Sequence, residues 1–63
     1  MTEPLWEVEV QAEHGAHRFT VPQRVRAGSE PEARERAIKA ATTDLAGLGH
    51  VVGTGTVTRV TEP

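Results

Sequence analysis

An α+β fold of ββαβ order is predicted by three features of this 63-residue chain. Two apolar-alternating stretches flank a glycine turn, a capping pattern opens an amphipathic stretch, and the remainder is rich in Val and Thr. Together they predict one three-stranded antiparallel/mixed sheet of order 2-1-3 with a single helix packed on one face.

The first strand is placed at residues 5–13. Trp6, Val8, Val10 and Ala12 fall on one face and Glu7, Glu9 and Gln11 on the other, the period of a half-buried strand. His14-Gly15 supplies a two-residue turn in which glycine tolerates positive φ. Alternation resumes over residues 16–26, with Phe19, Val21 and Val25 inward. With that turn, Glu13 faces Ala16, Val10 faces Phe19 and Val8 faces Val21, so the apolar rows share a face; a slip of one residue would separate them. Pro22 lacks an N–H to donate, which assigns the second strand to an edge or a bulge.

Ser29-Glu30-Pro31-Glu32 reads as a capping box with proline in the first turn, and the helix is placed at residues 30–46. Its apolar stripe comprises Ala33, Ala37, Ile38, Ala41 and Leu45, extended by Leu48, with Gly47 as the stop. Arg34, Glu35, Arg36, Lys39 and Thr43 form the solvated face. The third strand is placed at residues 51–61, where β-branched residues dominate and Gly53 and Gly55 weaken the start. Val52 and Val60 share one parity, Val51 and Val57 the other. Either a bulge near Gly55 shifts the phase or both faces are partly covered.

The sheet order follows from the connections. A crossover helix delivers the third strand parallel to the second, hence antiparallel to the first. Placing the first strand in the centre then puts the Trp6–Val8–Val10 row under the helix and leaves Pro22 at an edge.

At this length one domain spanning residues 1–63 is expected, because cores below about 40 residues rarely stand without a staple. The chain is 37% apolar and 25% charged with net charge −2, a globular balance. Its apolar part is mainly Ala and Val, with one Trp, one Phe, one Ile and one Met, so the predicted core is thin and a homodimer or a larger partner is expected to cover apolar surface. There is no cysteine to form disulfides or thiolate metal sites, which suits a cytoplasmic protein. No stretch has the apolar length of a signal sequence or a membrane span, so secretion and membrane insertion are not expected.

One helix covers one side of a sheet. The open side is expected to show Glu7 and Glu9 among Arg18, Arg24 and Arg26, a candidate polar binding surface whose ordinary reading is a solvated face with weak ion pairs. The Thr-rich third strand forms a second edge, open to β-augmentation by another copy or a partner. The same strand-two arginines, with Arg59, carry the alternative of a nucleic-acid-associated protein. Glu7 and Glu9 among them, and aromatics assigned to the core, place that alternative below a protein partner.

No chemistry is indicated. Glu13, His14, His17 and His50 lack metal-ligand spacing, so no metal is expected. The glycines at 47, 49, 53 and 55 follow a helix and precede a strand, the reverse of a phosphate-cradling loop, and no cofactor is expected. The single serine, Ser29, is assigned as a cap, leaving no base–nucleophile pair, and no enzyme activity is expected.

The hairpin, the run Val25-Arg-Ala-Gly-Ser-Glu-Pro-Glu-Ala-Arg34 opening the helix, and the Val/Thr strand resemble short accessory proteins of actinobacteria and their phages. The element order is also similar to that of ribosomal protein LX, a strongly basic family from which this acidic chain departs. The first resemblance implies a small accessory protein binding a host or virion protein, and it carries over no site residues. The expected function is a non-enzymatic protein-interaction module that self-associates.

Overall fold

The computed structural model describes residues 2–62. Strand β1 (Leu5–His14) and strand β2 (His17–Arg26) form a hairpin, helix α1 (Glu30–Asp44) crosses the sheet, and strand β3 (His50–Arg59) completes it. The order is β2-β1-β3 and β1 is antiparallel to both neighbours, as the sequence predicts. Pro22 therefore lies on an edge strand, where its missing N–H costs no ladder bond.

The hairpin turn differs from the expectation. Gly15-Ala16, not His14-Gly15, forms the loop, and His14 pairs with His17. Gly15 has φ +61 while Ala16 keeps negative φ, the pattern of a type II′ turn, whose twist suits antiparallel strands. Every predicted pair thus slides by two: Val10 faces Val21, Ala12 faces Phe19 and Trp6 faces Val25. A shift of two preserves which face each side chain occupies, so hydrophobic alternation alone could not distinguish the two registers.

Helix α1 opens differently from a full capping box. The Ser29 side chain makes no capping bond, although its carbonyl accepts the first helical bond from the Ala33 N–H at 2.9 Å. The Glu32 carboxylate does reach back, but to the N–H of Gly28 at 3.4 Å. At the other end the helix stops at Asp44, two residues short of the predicted boundary. A turn closed by the Leu48 N–H donating to the Leu45 carbonyl follows, with Gly47 at φ +81 inside it.

Two β-bulges settle the register of β3. Val8 faces Val57, Val10 faces Thr54 and Ala12 faces Val51, with shifts between Val8 and Val10 and between Gln11 and Ala12. Each shift inserts one residue, so positions 51, 54 and 57 share the helix side at a spacing of three. The first bulge falls at the anticipated place near Gly55. The second turns on Val52.

Fully buried side chains among the described residues are Val8, Val10, Ala12, Ala27, Ala33, Ala37 and Ala41. Trp6, Val25, Val51 and Val57 pack half-buried around them. Trp6 also donates its indole N–H to the Ala27 carbonyl at 2.9 Å, while the Ala27 N–H donates to Pro4, pinning the start of β1 to the end of β2. Ala33, Ala37 and Ala41 lie one turn apart, and their small size lets the helix approach the sheet closely. Residues advance about 100° each around a helix, so Ile38 sits far round from Ala37 on the β3 flank. Ile38 accordingly leaves the predicted buried stripe, with 36% exposure, and Leu48 leaves it at 64%; Leu45 is half-buried.

Candidate interaction surfaces

The open sheet face has the composition the sequence suggested, but its charges are largely spent on one another. Arg24 pairs with Glu7 across the β1–β2 ladder at 3.3 Å, and Arg18 pairs with Glu13 at 2.6 Å. Arg26 leaves this array: its guanidinium meets Glu62 in a fork of 2.9 and 2.8 Å and donates to the Glu3 carbonyl. Glu9 lies opposite Pro22 and so has no cation directly across the ladder. Of the five residues singled out for binding, Glu7, Arg18 and Arg24 thus sit in cross-strand pairs, Arg26 ties down the chain ends, and Glu9 faces Pro22.

The chain ends make a second feature. Beside Arg26, the segment 2–5 and residues 59–62 bound a hollow of about 520 Å³. Arg36 of the helix donates to the Glu3 carboxylate at 2.9 Å and to the Arg26 carbonyl. Hydrogen bonding to Arg36 holds the Glu3 carboxyl below its ordinary value, and Arg26 does the same for Glu62. Both arginines are correspondingly raised by these partners, Arg26 by Glu62 and Arg36 by Glu3. Arg59 lies over the Trp6 ring, 6.0 Å from its centroid, within reach of a cation–π contact. Around the hollow, Glu3 and Glu62 are thus paired with Arg36 and Arg26.

Two helix residues assigned to the solvated face are structural bonds. Besides Arg36, Arg34 donates to the Thr54 hydroxyl at 2.7 Å and to the Gly55 carbonyl at 3.1 Å, bracing β3 at its bulge. Their placement on opposite flanks follows from the helical angle, with Arg34 toward β3 and Arg36 toward β2. Nothing in the sequence marked them, because lengthy side chains reach past their own face.

The histidines gather at one end without converging. His14 Nδ1–H donates to the Leu48 carbonyl at 2.6 Å, tying the hairpin tip to the loop after the helix. His50 Nε2 is 3.8 Å from Glu13, whose carboxylate is already held by Arg18. No three His, Asp or Glu side chains among the described residues are grouped to hold a metal ion.

The feature sequence reasoning missed is a groove between α1 and β3. Ile38 and Thr42 form one wall and Gly49–Gly53 the other, around a volume of about 410 Å³. Val52, the residue at the second bulge, is 43% exposed there. A bulge re-aims a side chain. Ile38, on the opposite wall, is 36% exposed, and Leu48, in the loop that leads into the groove at Gly49, is 64% exposed. The conflicting parities of Val51 and Val52 were the one available signal.

No family model matches this chain, and neither the curated proteins nor the solved structures include a significant match. No helix among the described residues is long and apolar enough to cross a membrane.

Proposed function

We propose that this protein is a small non-enzymatic protein-interaction module that self-associates, and that its contact surface is the α1–β3 side rather than the open sheet face. The observation carrying this reading is the coincidence of the apolar groove with exposed Ile38 and Val52. A contiguous apolar surface in an otherwise polar exterior marks an interaction site.

The two sheet edges support the same side. β2 is guarded by Pro22 and by Arg18, Arg24 and Arg26, the devices by which edges avoid pairing. β3 carries no proline and no ionisable residue from Val51 to Thr58. Its two bulges interrupt the ladder that an added strand would need, so side-chain packing rather than β-augmentation is the contact it offers.

The nucleic-acid alternative is weaker, because Arg18, Arg24 and Arg26 each face a carboxylate that a phosphate would have to displace. The resemblance to short phage and actinobacterial accessory proteins agrees with an interaction role.

Sedimentation equilibrium of the full chain over a concentration series tests the proposal. A mass rising from monomer toward dimer supports it. A monomer at every concentration would overturn the self-association.

A further inference from the structure

Resting on that reading and deepening it, we infer that the occupant of the α1–β3 groove is a second copy of this chain, docked groove against groove about a two-fold axis, with Val52 and Ile38 of each copy seated against those of the other.

Charge favours a second copy. A two-fold contact brings a surface against itself, so it tolerates no block of like charge at its centre. The groove wall from Val51 to Gly53, with Ile38 and Thr42 opposite, has no charged side chain, and His50 stands at its end. Every other broad surface of the molecule carries ion pairs whose partners lie within the same copy.

Packing agrees. The largest fully buried side chains are only Val8 and Val10, while Ile38 and Leu48 exceed both in size and remain exposed. A second copy would give these residues the cover that the monomer's alanine-lined interface lacks.

The second bulge acquires a purpose in this arrangement. A regular strand would alternate Val51 and Val52 between the two sheet faces. The extra residue at this point instead leaves Val51 packed on the core while Val52 borders the groove opposite Ile38.

The chain has no cysteine, so single-cysteine variants report contacts without background. Val52→Cys and Ile38→Cys probe the groove, and Thr20→Cys, exposed on the open sheet face, is the control. Each is oxidised at a concentration where the wild type sediments as dimer, after circular dichroism confirms its fold. Disulfide-linked dimer should accumulate for Val52→Cys or Ile38→Cys and stay at background for Thr20→Cys, and Val52→Asp should weaken association at least about tenfold. Linkage through Thr20→Cys alone, or association with no linkage at either groove position, would overturn the groove assignment while leaving self-association intact. A wild type that sediments only as monomer would overturn both.

Discussion

Gly49 is packed against the backbone of Glu13: a side-chain carbon built on Gly49 would lie 2.8 Å from the Glu13 carbonyl oxygen. This contact, with the neighbouring bond from His14 to the Leu48 carbonyl, fixes the loop after α1 to the hairpin end and sets where β3 begins. Gly49 also has φ +153, a conformation that side chains disfavour. Gly49→Ala is therefore expected to destabilise by about 2 kcal/mol or more, from strain plus displacement of the backbone. Gly47→Ala, at φ +81 but with open space around it, is expected to cost only about 1–2 kcal/mol. Urea unfolding of both variants checks the order, and equal losses would contradict the packing argument.

The core depends on close approach of the helix. Ala37 is fully buried between α1 and the sheet, so Ala37→Leu should lower stability by about 1–3 kcal/mol through overpacking. Val10→Ala should cost about 2 kcal/mol through lost burial and a cavity. In a domain of this size each kilocalorie lowers Tm by about 4–8 °C, so thermal melting resolves both. An unchanged Tm for Ala37→Leu would mean the helix can lift without loss.

The sheet order, strand faces and helix were legible because alternation, Pro22 and the residues around Ser29 each constrain one choice. The hairpin register was not, since Gly15 serves in either loop position and a slip of two residues preserves every face. The β3 register required knowing where two extra residues fall, and Val, Thr and Gly in succession give no periodicity from which to place them. The mix of Glu7 and Glu9 with strand-two arginines on the open face was legible from strand faces alone, whereas which of them pair depends on the hairpin register. The groove was not, because it joins residues of α1 to a bulge that only the three-dimensional arrangement reveals.

The side chains of the Arg24–Glu7 cross-strand pair are 63% and 42% exposed. Arg24→Ala should therefore change stability by less than about 1 kcal/mol, and by less still in high salt. Chemical denaturation at low and high ionic strength checks this, and a loss above about 2 kcal/mol, twice the expected bound, would show that the open face is more than a solvated surface.

Acid should loosen the chain ends. The Arg36 and Arg26 partners hold the carboxyls of Glu3 and Glu62 below their ordinary value of 4.5, so the unfolded chain binds protons more readily than the folded one. Stability from these pairs is fully present above that value and declines as pH falls through the lower folded-state values. Urea midpoints measured down the acid range should show this decline, and Glu3→Gln with Glu62→Gln should make it shallower. An unaltered slope in the double variant would remove these pairs from the account.

The most direct test of the central claim is the melting temperature of the wild-type chain over about a hundredfold range of protein concentration, because association linked to folding makes Tm depend on concentration. If a second copy covers Ile38 and Val52, Tm rises with concentration in the wild type and flattens in Val52→Asp. A wild-type Tm independent of concentration would contradict the account and leave the two valines and their alanine partners as a sufficient core.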